Sequence, residues 1–309
     1  MSPAYSFKPV LFACRTLQRE LYIAWKFIDN DIWDTILPSL MIFFTGWIYH
    51  GRSWAELPLP FLTSLSYAVL YIYTFCMGNQ LDGVEEDRLN KPYRPLVTGL
   101  VTVRETYRRF WIYNILYALY GLLLGTFWYA IAWIIVSCYL NLGGGSNHWA
   151  TKNLVGMTLG TFILFNVQWS IALPADAHIG TNLEVYFALM SAWAGFALPI
   201  QDLRDMAGDL KGGRRTLPIV VGDTRARWYL CIHYLIFLPA TFLCAMLTQD
   251  SLHDIFSVAV DLIIFLIQLV VHWTVAVRLL LFRSPSADHK TYHCYVLLFV
   301  ASIPMACLL

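Results

Sequence analysis

Two short polar segments interrupt an otherwise apolar chain, and each places carboxylates at helical spacing. The later one runs from Gln201 to Pro218 and carries Asp202, Asp205 and Asp209 at i, i+3 and i+7. A helix through these positions sets all three carboxylates on one face. Three like charges on one stripe repel each other, so the arrangement calls for a cation. Hard oxygen ligands of this kind suit Mg²⁺, which commonly bridges a few carboxylates to a phosphorylated substrate. The earlier segment runs from Asn79 to Pro95, where Asn79, Gly83 and either Glu86 or Asp87 share a helical face in the same way. Both segments are acidic first and basic after. Lys91 and Arg94 follow in the first, and Lys211, Arg214 and Arg215 in the second, which is the positive charge a diphosphate needs. The two begin 122 residues apart, which suggests an internal repeat of helix plus polar loop. Either segment alone reads equally well as solvated loop. Matched layout at two helix ends argues against that, as do carboxylates gathered at a membrane boundary.

The composition supplies that membrane. Of 309 residues, 58% are hydrophobic and 13% charged, against roughly 45–50% and roughly 25% in soluble domains. Too few charges remain to coat a water-soluble globule of this size. With 21 Lys and Arg against 20 Asp and Glu there is no basic surplus, which excludes nucleic acid as a partner. The seven cysteines show no metal-ligand spacing and read as small apolar residues. Lys8, Arg15, Glu20 and Lys26 make the start of the chain too mixed for a cleaved signal peptide.

Nine apolar runs of spanning length can be laid along the chain, at 33–49, 60–79, 109–125, 127–142, 153–173, 183–200, 228–247, 255–279 and 291–309. Residues 9–28 differ. Arg15, Arg19 and Lys26 alternate with Leu11, Phe12, Leu17, Leu21, Trp25 and Phe27, as in an amphipathic helix lying at the interface. Nine crossings put twenty of the Lys and Arg residues on one side and only Arg52 on the other. By the positive-inside rule the N-terminus and both polar segments are cytosolic. The expected architecture is an all-α polytopic membrane domain over residues 1–309, nine transmembrane helices around a central cavity, with 1–32 as a cytosolic or interfacial lead-in. The endoplasmic reticulum is the expected membrane.

At these residues the sequence resembles the UbiA superfamily of intramembrane prenyltransferases. Members carry NDxxDxxxD at the end of the second helix, followed by a basic and Pro-containing stretch, and DxxDxxxD at the end of the sixth. Here Asp202, Asp205 and Asp209 match the second motif in full, with Gly208 and Thr216-Leu217-Pro218 in place. Asn79 and Asp87 match the ends of the first, and Asn90, Pro92, Arg94 and Pro95 its tail. The departures are Gln80 and Gly83, where the pattern has acids, with Glu86 as the stand-in. A degenerate first motif is similar to the UbiA-type terpene cyclases of fungi, as is the stretch from Asn30-Asp31 to Pro38.

The resemblance implies the chemistry. Mg²⁺ held by Asn79, Glu86, Asp87, Asp202, Asp205 and Asp209 would bind a prenyl diphosphate, farnesyl diphosphate being the first candidate. Asp202, Asp205 and Asp87 are the expected catalytic carboxylates, and Lys91, Arg94, Lys152, Lys211 and Arg215 the expected diphosphate contacts. The departing diphosphate leaves an allylic cation. An enclosed aromatic cavity lets the chain's own double bond attack, giving a cyclase. An aromatic or quinone-precursor acceptor gives a transferase. Aromatic faces stabilise cations, and Phe75, Trp193 and Phe196 precede the two motifs closely enough to line the cavity, although interfacial placement of aromatics is also common. Cyclase leads, transferase follows, and a non-catalytic scaffold comes third. The expected partners are the prenyl diphosphate, the bilayer and enzymes that consume the terpene downstream. Oligomeric state is not written in the sequence. Gly143-Gly144-Gly145-Ser146 lacks the features of a phosphate-binding loop and reads as a turn. His289 and His293 have no third ligand, and Asp261 is an isolated acid in the eighth run.

Overall fold

Helix starts in this chain are written in local chemistry. Thr102 caps the helix Val103–Leu123 with a reciprocal pair: its Oγ1 accepts from the Glu105 amide at 3.2 Å, and Glu105 Oε2 accepts from the Thr102 amide at 2.8 Å. Ser284 caps Pro285–Met305, with Pro285 in the first turn. Pro58 opens Pro58–Asp82. The computed structural model describes residues 7–308, with side chains from Cys14 onward. We number its main helices α1 Phe7–Ile28, α2 Ile32–Tyr49, α3 Pro58–Asp82, α4 Val84–Asn90, α5 Val103–Leu123, α6 Phe127–Asn141, α7 Ala150–Ala172, α8 Thr181–Lys211, α9 Asp223–Met246, α10 Ala259–Leu281 and α11 Pro285–Met305.

Six of these, α2, α3, α7, α8, α9 and α10, are long and apolar enough to cross a membrane. Three more, α5, α6 and α11, occupy the places of the third, fourth and ninth expected spans without reaching that standard. α6 is only 15 residues long, and α5 and α11 begin with charged turns carrying Arg104, Glu105, Arg108 and Arg109, and Asp288 and Lys290. Beyond its charged turn, α5 presents Ile112, Ile115, Leu119 and Leu122 outward, the apolar face expected against lipid.

Among lipid tails an apolar surface gains little by meeting another, so the bundle depends on close packing and on hydrogen bonds between helices. The Ser64 hydroxyl donates to Gln168 Oε1 at 2.5 Å, joining α3 to α7. Trp133 Nε1 donates to the Tyr71 carbonyl at 3.2 Å, joining α6 to α3, and the Tyr186 hydroxyl donates to the Ile303 carbonyl at 2.6 Å, joining α8 to α11. Arg227 at the head of α9 is buried and donates to both carboxylate oxygens of Asp288 on α11, each at 2.8 Å, and to the Leu279 carbonyl of α10 at 3.1 Å.

Two large apolar clusters result. One gathers residues of α1, α3, α5 and α6 around Tyr67, Tyr71, Phe110 and Trp133; the other gathers α8 to α11 around Trp193, Tyr234, Phe242 and Phe299. Helix α7 serves both, with Leu164 and Val167 in the first and Phe165 and Trp169 in the second. The space between the clusters is the cavity described below. α1 lies against the first cluster through Ile23 and Phe27, and Glu20 pairs with Arg109 of α5 at 2.6 Å. Its Leu17, Leu21 and Trp25 face outward, consistent with the amphipathic reading. The side chains of Lys8, Leu11 and Phe12 lie outside the described residues.

Three of the stretches that depart from regular α-helix border the cavity. Residues Ile32–Ile36 and Ala150–Met157 are π-helical, and Leu198–Gln201 is a tight 3₁₀ turn around Pro199. Such irregular turns recur at functional sites because they re-aim side chains.

Candidate active site

The two polar segments meet at one end of the bundle, but they are built differently. α3 stops at Asp82, the chain turns at Gly83, and α4 starts afresh at Val84. α8 instead runs through its 3₁₀ turn and continues as helix to Lys211. α4 lies across the end of α8, where the Asn90 amide donates to the Asp205 carbonyl at 3.1 Å. Gly208 permits that approach, since a Cβ there would sit 2.2 Å from the Asn90 side chain.

The cavity between the clusters opens at this end and holds about 1160 Å³ of empty space, its open mouth included. Around the mouth stand Asn79, Glu86, Asp205, Asp209, Gln201, Asp31 and Asp34, together with Lys91, Arg94, Lys152 and Arg214. Most of the charges are paired across elements. Arg94 Nη1 reaches both oxygens of Asp87 at 2.8 and 2.7 Å and the Asn79 Oδ1 at 3.2 Å. Arg214 pairs with Glu86. Lys152 Nζ donates to Asp202 Oδ1 at 3.1 Å, and Asn153 Nδ2 lies 3.3 Å from the other oxygen. Among the described residues the one ion pair of Asp205 is with the neighbouring Arg204, at 3.6 Å. Asp209 is 2% exposed, and its Oδ2 has no hydrogen-bond partner. The ammonium of Lys91 is held below its usual pKa, first by the charge of Arg94 beside it and then by burial.

The expected site residues therefore divide. Asn79, Glu86, Asp205, Asp209, Lys91, Arg94 and Lys152 face the cavity. Asp202 and Asp87 stand one layer back, each engaging a cation that faces it. Lys211 is exposed and away from the mouth. Arg215 is also exposed; its amide donates to the Asn147 carbonyl at 2.6 Å, and it is its neighbour Arg214 that lines the cavity.

Below the charges the walls turn aromatic. On one side Tyr71 stacks on Trp133 with centroids 4.0 Å apart, and Phe75 stacks on the same ring at 5.4 Å. On the other, Tyr295, Phe299 and Phe165 face the cavity. Phe299 lies nearly parallel to Phe165 at 6.1 Å and to Trp193 at 5.3 Å. Trp193 backs that wall rather than forming it, its indole nitrogen donating to His272 Nε2 at 3.1 Å. Phe196 is turned away and packs on His233 and Phe237 of α9. Nearness to Asp202 in sequence misplaced it, since six residues at the α-helical period already turn Phe196 about 120° away from Asp202.

A second cavity adjoins the first at the mouth and shares Asp31, Asp34, Lys91, Gln201 and Asp205 with it. Arg204, His289, Tyr292 and His293 complete its far side.

A family model described as the UbiA prenyltransferase family matches residues 39–303. The chain belongs to this family. Diterpene cyclase eriG of Hericium erinaceus is 35% identical over 290 residues, covering 92% of this chain and 87% of that protein. Polyprenyl transferase eriF of the same fungus is 32% identical over 294 residues, 91% of this chain and 92% of that one. A solved UbiA homolog from Archaeoglobus fulgidus bound to GPP and Mg²⁺ superposes with a TM-score of 0.62 at 15% identity, over 93% of this chain and 100% of that chain. With its apolar helices, membership of the UbiA family makes this an integral membrane protein and an enzyme of prenyl diphosphate chemistry.

Within the UbiA frame, the two departures of the first motif acquire a local explanation. A Cβ at Gly83 would lie 3.2 Å from Arg214 Nη2, so the guanidinium occupies the space a side chain there would enter. Gln80 is buried and turned toward α1, its Nε2 3.4 Å from the Phe27 carbonyl. Among the described residues no three His, Cys, Asp or Glu side chains converge closely enough to hold a metal ion unaided. The donors still fit Mg²⁺. They are hard oxygens facing the cavity, one of them the unpartnered buried oxygen of Asp209, and Mg²⁺ usually takes one or two carboxylates and completes its shell with phosphate oxygens and water.

Sequence reading missed Asp31, Asp34, Ser146, Tyr71, Trp133, Phe165, Tyr295 and Phe299 as cavity residues. Tyr71 was within reach of it, since Tyr71, Phe75 and Asn79 recur at i, i+4 and i+8 on one face of α3.

Proposed function

We propose that this protein is a Mg²⁺-dependent membrane terpene cyclase that ionises an allylic prenyl diphosphate and closes the resulting cation on itself. The observation that carries this reading is the stacking order of the cavity: a charged mouth above two aromatic walls lining the same space. Asp205, Asp209, Asn79 and Glu86 are the groups that would hold Mg²⁺, which when bound neutralises the diphosphate as it leaves. Lys91, Arg94, Lys152 and Arg214 face the same space and would bind the diphosphate oxygens. Asp202 and Asp87 fix Lys152 and Arg94 in direction, so they act as positioning residues. With the leaving group held at the mouth, the prenyl chain extends between Tyr71, Phe75 and Trp133 on one side and Phe165, Tyr295 and Phe299 on the other. Those ring faces stabilise positive charge without offering a strong nucleophile, so the nearest electron-rich group is another double bond of the same chain. The charge asymmetry of the loops orients the mouth toward the cytosol, and the endoplasmic reticulum is the membrane we assign.

The deciding experiment incubates membranes containing the chain with farnesyl or geranylgeranyl diphosphate and Mg²⁺, without an acceptor, and analyses the extract by gas chromatography–mass spectrometry. Both substrates are used because one relative is named a diterpene cyclase. A cyclic hydrocarbon or alcohol that vanishes with EDTA and in Asp209→Ala supports the cyclase. Product that forms only when an aromatic acid or quinol precursor is added supports a transferase instead. The second cavity, open at the mouth beside the first, favours that alternative by offering room for an acceptor.

A further inference from the structure

A cyclisation that ends in an olefin releases one proton with each diphosphate, and either a group on the cavity wall or the diphosphate itself accepts it. The place of Asp34 on the wall of both cavities singles it out. The Cys76 thiol donates to Asp31 Oδ2 at 3.3 Å, which sets the start of α2 level with Cys76 on α3, less than one turn below Asn79. From there α2 descends into the bundle, and Asp34 lines the cavity just past Asp31, bonded to the Tyr292 hydroxyl and with Tyr295 close by.

Its partners leave one oxygen available. Oδ2 accepts the Tyr292 hydroxyl at 2.5 Å, while Oδ1 has only a long contact from Thr35 Oγ1 at 3.4 Å. Among the described residues no Lys, Arg or His forms an ion pair with Asp34, in contrast to Asp87, Asp202 and Glu86. The charged groups turned toward it are Asp31, Lys91 and Arg204, the last stacked on the Tyr292 ring at 4.1 Å. Asp34 also belongs to the wall between the two cavities. A proton taken on the reaction side therefore has an outlet on the other, where His289 and His293 stand.

We propose that Asp34 is the base that ends the reaction. Its Oδ1 takes a proton from the carbon next to the final cation, the C–H electron pair becomes the new double bond, and the proton leaves through the second cavity. Tyr292 holds the carboxylate in place by its hydroxyl. The inference rests on the cyclase reading above.

The test uses the full chain purified in detergent, with Mg²⁺ and the prenyl diphosphate that the wild type turns over, and measures diphosphate release and hydrocarbon products separately. Asp34→Asn is expected to lower the yield of the wild-type olefin per diphosphate released by about tenfold or more. Water-quenched alcohols and hydrocarbons from earlier cations should rise in its place. Tyr292→Phe should shift the ratio in the same direction by a smaller factor, and Asp34→Glu should restore part of it. An unchanged product ratio in Asp34→Asn overturns the proposal and assigns the proton to the diphosphate itself. Loss of diphosphate release with a raised Mg²⁺ requirement also overturns it, placing Asp34 in the ionisation step. Should Asp34→Asn not fold, the Tyr292→Phe ratio decides in the same way. A wild type that yields only acceptor-linked product overturns the cyclase reading first, and does so without reference to Asp34.

Discussion

The two acidic segments share a layout in sequence and diverge in what they do with their charge. In the first, Asp87 is clasped by Arg94 and Glu86 by Arg214, so each carboxylate already has its cation. In the second, Asp202 is engaged by Lys152, but Asp205 faces the cavity with one distant arginine and Asp209 with an unpartnered oxygen. The backbone explains part of this. A helix that breaks at Gly83 lets α4 fold over the mouth and bring its acids to the arginines. A helix that continues to Lys211 keeps its acids in a row along the opening. The lesson is that motif-bearing residues can be retained while one segment closes its charges into ion pairs and the other keeps open carboxylate oxygens.

The sharpest way to break this contrast is to remove the unpaired acid. Asp209→Asn should cut diphosphate release by about 100-fold or more, measured with saturating Mg²⁺, whereas Glu86→Gln should cost nearer tenfold. Equal losses would mean that both segments hold metal alike. Next in size is the pair in the first segment. Arg94→Met leaves the buried Asp87 carboxylate without a cation, and breaking a buried pair in this way costs about 3–5 kcal/mol, to be read as a lowered melting temperature in detergent. Little change there would show that Asp87 is not held as described. Gly83→Asp should act more mildly, raising KM for the diphosphate roughly two- to fivefold as the new carboxylate draws Arg214 from the substrate. A lowered KM with a reduced Mg²⁺ requirement would show instead that an acid at this position restores metal binding. Smallest of all is Glu85→Ala. Its carboxylate is 71% exposed beside Arg88, and stability should stay within about 0.5 kcal/mol of wild type.

Much of the fold was legible because a bilayer imposes coarse rules. Apolar run length laid a segment over each long helix from α2 to α11, although it missed the short α4 and the last eleven residues of α8, and helical spacing alone brought Asp205 and Asp209 to one face. Legibility failed where the partner of a charge had to be chosen. Nothing near Asp87 says that Arg94, rather than a metal, will take it, and nothing near Gly83 says that Arg214 will fill its space from more than a hundred residues away. Tyr292, Tyr295 and Phe299 recur at i, i+3 and i+7 along their helix, a stripe the sequence reading passed over. Asp31 and Asp34 were passed over because an acid at the start of a span reads as an interface residue, although the stretch from Asn30 to Pro38 had already stood out.

The π-helical run Ala150–Met157 carries Lys152 to the mouth and Met157 to the cavity wall. A stretch with one residue more than a regular turn requires is a place where length, rather than identity, sets which side chains look inward. Deleting a single residue there would let the segment relax to ordinary α-helix, changing which of its own side chains face the mouth while the helix that follows keeps its phase. Lys152 would leave Asp202 while Thr161, Leu164 and Phe165 kept their posts. For a family whose members differ in the products they make, such a turn lets one codon gained or lost re-pair the mouth with the walls beneath it, with no residue in either layer replaced.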